Sequence, residues 1–202
     1  MKLIATAAFA LLAATPALAY NTTLDFEGVT GFTAINNTYS SQGVGFTGGA
    51  QGLVNDGLGG GVNGAYFSHA PSPVGVMFAA DIDSTLNALG NRAFIDAFSF
   101  YYSSSADLVD AVQVFDGLNG TGNVLASFTL TANAQAGCTD TGFCNWTQVS
   151  SNFIGSARSV TFGGAMGIAG FDNLGLTVIP EPSSLALVAL ALTGLLGARR
   201  RR

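Results

Sequence analysis

The chain has 202 residues, of which 49% are hydrophobic and only 9% charged, and it holds 27 glycines. Between Asp25 and Asp172 stand eleven acidic residues against Arg92 and Arg158, with no lysine, a net charge of −9 over that stretch. A surface of that sign repels phosphate backbones and argues against nucleic acid as a partner. It suits cations or uncharged polymers, and the plentiful Phe, Val, Leu and Ile argue against disorder.

The first twenty residues, MKLIATAAFALLAATPALAY, run from Lys2 through a short apolar stretch to Ala17-Leu18-Ala19. A basic start, a short apolar run and a small-x-small close predict a secretory signal peptide over 1–19, cleaved after Ala19. Residues 20–178 are then long enough for one domain with its own core.

No part of that body sustains a 3.6-residue apolar period; alternation of period two recurs instead. LDFE, GVGFTG, GAYFSH and VGVMFAA read as strands, with GGAQGLVNDGLGGGVNGA (48–65) as a long irregular surface loop. Phe94, Phe98, Phe100 and Tyr102 mark one face of a longer strand, Val112 and Val114 another. Val124, Ala126, Phe128 and Leu130 share a face of the next, and DGLNGTGN (116–123) has the turn chemistry of the hairpin between them. NWTQVS, SVTFGG and FDNLGLTVI complete about ten short strands. The pattern predicts an all-β fold, a single β-sandwich of jelly-roll type.

Cys138 and Cys144 are the two cysteines of the chain. In an exported protein they read as a disulfide pinning a short loop, with a chain-entropy contribution of about 2–2.5 kcal/mol. Trp146, beside that loop, is the one tryptophan, and together with Tyr39, Tyr66, Tyr101 and Tyr102 it offers an aromatic face on which a sugar ring could stack. The competing expectation is that a lone tryptophan sits in the core.

No nucleophile–base constellation stands out. His69 is the only histidine, and HExxH and GxSxG are absent, so a non-enzymatic protein is expected. The acidic pattern is more telling. Asp25-Phe26-Glu27 opens the body, Asp172-Asn173 closes it, and alternation puts Asp25 and Glu27 on one side of the first strand. If the first and last strands are neighbours, these oxygens suit a hard cation such as Ca²⁺. An early acidic strand with a late Asp-Asn resembles carbohydrate-binding modules of the jelly-roll type. That resemblance implies a structural calcium held by Asp25, Glu27 and Asp172. The competing reading has the acids facing solvent or capping turns.

The chain ends IPEPSSLALVALALTGLLGARRRR (179–202). An apolar helix over 185–198 would be about 21 Å long, short of the ~30 Å hydrocarbon core, with the arginine stems extending its reach. Arg199, Arg200, Arg201 and Arg202 supply a cytoplasmic stop, and Pro180-Glu181-Pro182 an extended strip at the outer boundary. This tripartite tail resembles the PEP-CTERM sorting signal, also known as the ice-binding protein C-terminal domain. The resemblance implies an exosortase-type membrane protease as partner, transient anchoring in the inner membrane, then the cell surface or exterior, often alongside exopolysaccharide. The expected function is therefore an exported surface or matrix protein whose body associates with exopolysaccharide. The alternatives are a structural envelope protein without a specific ligand, and a secreted carbohydrate-active enzyme. Ice binding fits poorly, because the body has no regular Thr-x-Thr ladder.

Overall fold

The computed structural model describes residues 18–55 and 66–180; residues 1–17 of the expected signal peptide, Glu181, Pro182, the apolar tail and its four arginines lie outside the described residues. Two antiparallel sheets pack face to face as a jelly-roll-like β-sandwich. The strands in chain order are β1 (Tyr20–Leu24), β2 (Val44–Phe46), β3 (Ala50–Val54), β4 (Gly75–Ala79), β5 (Thr85–Ala88), β6 (Ala93–Ser104), β7 (Leu108–Phe115), β8 (Val124–Leu130), β9 (Thr147–Asn152), β10 (Ser159–Thr161) and β11 (Ala169–Ile179). The first sheet runs β3-β4-β11-β6-β9, with β1 also paired to β11; the second runs β2-β5-β10-β7-β8.

Alternation builds the core. Phe94, Phe98, Phe100 and Tyr102 of β6 are all buried, as are Val112 and Val114 of β7 and Ala126, Phe128 and Leu130 of β8. Their rings meet between the sheets: Phe100 lies 4.9 Å from Phe128, and Phe162 4.9 Å from Phe171, both edge to face. That arrangement adds about 0.5–1.5 kcal/mol per pair beyond area burial.

Four expectations shift. The segment 48–65 is not wholly irregular, because Ala50–Val54 forms β3 against β4. Thr85–Ala88 forms β5, a strand that was not expected. Of GAYFSH, the described residues 66–69 do not form a strand; among them Phe67 makes an isolated bridge to Phe143. Finally, β1 ends at Leu24, before the acidic pair. Phe26, fully buried, then turns the chain with φ of 57°, so Asp25 and Glu27 flank a left-handed residue rather than sitting on a strand.

One irregularity positions the rest. Along β11 the core-facing residues are Ala169 and Phe171, then Leu174, Leu176 and Val178. The phase slips because a bulge inserts an extra residue: the register with β6 shifts between Asp172 and Gly175, and Asn173 takes φ of 47°. Bulges kink a strand and re-aim its side chains. This one lies where β11 changes partners on one edge, from β4 at Gly170–Phe171 to β1 at Leu174–Val178.

Candidate functional site

Two features meet along β11, one apolar and one acidic. The apolar one lies on the outer face of the first sheet. In β4, Met77 and Ala79 face the main core, while Val76 and Phe78 point the other way. They join Leu53 of β3 and Gly170 of β11 in the floor of a cavity of about 230 Å³. Phe32, Tyr66, Phe67, Phe143 and Trp146 stand around it, from the loops. Trp146 is half-buried in a satellite cluster with Phe67 and Val76, separate from the main core. Its indole N–H donates to the Ser68 carbonyl at 2.9 Å, and Phe67 meets it edge to face at 6.1 Å. Gly170 permits this approach, since a Cβ there would stand 3.2 Å from the indole ring.

The open rim of the cavity is aromatic. Phe32 is 57% exposed and Tyr66 41%, and the two rings pack edge to face at 5.4 Å, with Phe78 at 6.1 Å from Phe32. Phe32 takes φ of 54°. A left-handed phenylalanine is disfavoured, and backbone strain of this kind gathers at functional sites. Trp146 and Tyr66 were legible as stacking candidates in the sequence; Phe32, Phe78 and Phe143 were not. The signal for Phe78 was present in VGVMFAA, which is apolar on both faces and so has to be covered on both.

A second cavity of about 310 Å³ adjoins the first and is mixed in character, lined by Ser104, Ser105, Asn133, Gln135 and Gly142 together with Ala132, Ala134 and Ala136. The two share a wall. Ser105 donates both its N–H and its hydroxyl to the Ile168 carbonyl at 3.2 Å, and Gly142 and Phe143 are consecutive. The disulfide Cys138–Cys144 closes the loop that carries both residues.

His69 stands on that loop's flank. Its Nδ1 is 3.3 Å from the Cys144 carbonyl and its Nε2 3.7 Å from Asp140 Oδ2. The neighbouring Ser68 hydroxyl pairs with Thr141 Oγ1 at 3.0 Å. A hydrogen bond from Ser68 is the main cause holding the Asp140 carboxyl below its usual range, with the His69 charge a lesser one.

The acidic feature occupies the gap between β4 and β1. Asp172 is fully buried; its Oδ2 accepts the Ser72 N–H at 2.6 Å and its Oδ1 the Asn173 N–H at 2.7 Å. Glu27 Oε1 accepts the N–H groups of Val74 and Gly75 at 2.9 and 3.1 Å. Asp25 Oδ1 accepts the Glu27 N–H at 3.3 Å. Tyr39 closes the group by accepting the Phe26 N–H at 2.8 Å. Burial pushes the Asp172 carboxyl up to about 7, and the Glu27 charge adds to the rise against the pull of its N–H donors. Burial likewise pushes the Tyr39 hydroxyl up, with Asp25 the next cause. The three acids thus share one junction, with Asp25 and Glu27 exposed and Asp172 sealed. Their type fits a hard cation; their spacing is looser. Among the described residues, the trio of His, Cys, Asp or Glu whose ligand atoms all lie within 4.8 Å is Cys138, Asp140 and Cys144, and its sulfurs are spent in the disulfide.

No curated protein matches the chain. The chain is similar to three solved structures. The K2 cleaved adhesin domain of Lys-gingipain is 14% identical, with a TM-score of 0.45 over 77% of this chain and 97% of that one. The K1 cleaved adhesin domain of Lys-gingipain from Porphyromonas gingivalis W83 is 12% identical, with a TM-score of 0.41 over 78% and 97%. A family 6 carbohydrate-binding module is 13% identical, with a TM-score of 0.34 over 80% and 94%. Pro180 directly follows the last residue of β11, and residues 178–202 match the PEP-CTERM protein-sorting motif. By that tail the chain carries the sorting signal of an exported protein, one that implies processing by an exosortase.

Proposed function

We propose that the protein is a non-catalytic, exported surface or matrix component whose sandwich binds exopolysaccharide at the aromatic cavity. In this reading the signal peptide directs export and the tail holds the chain briefly in the inner membrane. An exosortase then releases the body near Pro180-Glu181-Pro182. The observation that carries the binding half is the aromatic rim. Phe32 and Tyr66 are large, exposed rings backed by Phe78 and Trp146. They offer the flat apolar face on which the C–H face of a pyranose stacks, and a body charge of −9 suits an uncharged polymer. The test is affinity electrophoresis of the exported protein through neutral polysaccharides. Wild type is retarded, and Phe32→Ala or Tyr66→Ala loses at least fivefold in affinity. Mobility unchanged by every neutral polymer would leave a structural envelope protein as the better reading.

We also propose that a calcium ion occupies the acidic junction. Asp172, Glu27 and Asp25 with the Asn173 side-chain oxygen would hold it, and it would tie β1 and β4 to β11. Support comes from the donor set: a fully buried carboxylate repelled by a second one. A ligand at a hundredfold excess over Kd stabilises by about 2.7 kcal/mol, or roughly 5–10 °C for a domain of this size. Melting with calcium and with chelator checks it, and identical melting temperatures would overturn it.

A further inference from the structure

We infer that the aromatic cavity takes the acetyl groups of an O-acetylated neutral polysaccharide, rather than a bare sugar ring. This rests on the polysaccharide reading above and narrows it. Among the described residues, apart from the Tyr66 hydroxyl and the Trp146 indole N–H, the side chains lining the cavity are purely apolar. The indole N–H is already given to Ser68. A sugar hydroxyl pushed inside would lose water and find almost no partner, which makes it unfavourable there. An ester methyl has the opposite preference, because burying it among Leu53, Val76, Phe78 and the indole removes apolar surface from water.

The adjoining cavity supplies what the first lacks. Ser105 and Gln135 are exposed at its edge, and it begins at the Ser105–Ile168 contact that walls off the apolar one. A sugar residue seated across this wall places its acetyl group in the aromatic cavity and its free hydroxyls beside the exposed Ser105 and Gln135 side chains of the second. Charge selects against acidic glycans. Asp140 lies beside His69 on the disulfide loop that carries Phe143, and Asp107 Oδ1 accepts the N–H of Ala132, which lines the second cavity, at 2.7 Å. Arg92 and Arg158 instead bond the Leu89 and Gly90 carbonyls, on the turn before β6.

The experiment uses acetylated glucomannan and the same polymer stripped of its esters by mild alkali, which changes neither backbone nor charge. Isothermal titration is run with the protein as exported. Burial of one methyl is worth about fourfold in affinity, so the acetylated polymer binds at least about fourfold tighter than its stripped twin. In the Phe32→Ala/Tyr66→Ala double variant that ratio falls to near one. Equal binding of both polymers by wild type overturns the acetyl inference while leaving polysaccharide binding intact. Binding of neither overturns both. An acetyl preference that survives in the double variant also overturns the inference, because it moves the site elsewhere.

Discussion

β11 runs past two regions of opposite character within six residues. At Ala169–Gly170 it floors a cavity whose walls are aromatic and whose side chains have few hydrogen bonds to give. At Asp172–Asn173 it anchors a junction built on hydrogen bonds to carboxylate and hydroxyl oxygens: Asp172 to Ser72 and Asn173, Glu27 to Val74 and Gly75, Tyr39 to Phe26. The first region leaves large rings in water, which costs stability unless something covers them. The second seals a carboxylate in the protein, which costs stability unless something neutralises it. In the proposed function the junction stabilises the closed sandwich and the cavity takes the ligand. Perturbing each should move a different observable.

The largest expected effect is the junction's response to pH. The Asp172 carboxyl is raised from an ordinary 3.8 to about 7, by burial first and by Glu27 next. The folded state then holds a proton that the unfolded chain has released, so the stability contributed by Asp172 is full below about pH 4 and is lost as pH rises to about 7. At about 1.4 kcal/mol per unit, the loss is at most about 4 kcal/mol. Tyr39, whose hydroxyl is pushed up, stays neutral throughout. Chelated protein should thus melt several degrees higher at pH 5 than at pH 8, and Asp172→Asn should abolish most of that difference. An equal slope in the variant would remove Asp172 as its source. Calcium at the junction should flatten the slope in wild type, because it stabilises the charged form.

How much of this contrast was legible in the sequence depends on side-chain type. The core face of β6 announced itself, because Phe94, Phe98, Phe100 and Tyr102 are large and evenly spaced. β3 and β5 did not: AQGLV and TLNA contain Gly, Asn and Ala, residues poor in strand propensity, and pairing to β4 and to β2 and β10 decides their state instead. That the first strand lies beside the last was legible, and β1 does pair with β11. The turn at Phe26 could not be read, since phenylalanine ordinarily avoids positive φ. It is held there by burial of its ring against Tyr39 and Phe46 and by close packing at Gly75, where a Cβ would collide with the Phe26 carbonyl. The cavity was half legible, through Trp146 and Tyr66, because loops bring Phe32 and Phe143 to it from distant parts of the chain.

The disulfide gives an intermediate effect and separates loop geometry from loop entropy. Cys138–Cys144 closes a short loop, so reduction should cost about 2.4 kcal/mol through the unfolded state, roughly 5–10 °C in melting temperature. Phe143 is held independently: its carbonyl accepts the Ser68 N–H at 3.0 Å, and the Cys144 N–H donates to Ala134 at 2.8 Å. Glycan affinity at 25 °C should therefore change less than threefold on reduction. A larger loss, measured by titration in the presence of reductant, would make the disulfide part of the cavity wall.

The smallest expected effect on stability tests the comparison most directly. Phe32→Gly removes a ring from the cavity rim, losing edge-to-face packing on Tyr66 and Phe78, about 0.5–1.5 kcal/mol for each pair beyond the area buried. It also relieves a left-handed backbone, since glycine adopts φ near 54° without the roughly 1–2 kcal/mol that a Cβ imposes. Glycine's freedom in the unfolded chain takes back about 0.5–1 kcal/mol. Phe32→Ala loses the same ring contacts, so between the two variants only the two backbone terms differ; these nearly cancel, and their melting temperatures should lie within about 2–3 °C of each other. Glycan affinity should fall as far as in Phe32→Ala, because both variants lack the ring. A ring kept for stability alone would leave binding untouched in both variants. Melting and binding measured on the two variants together decide whether the strain at Phe32 serves the fold or the ligand.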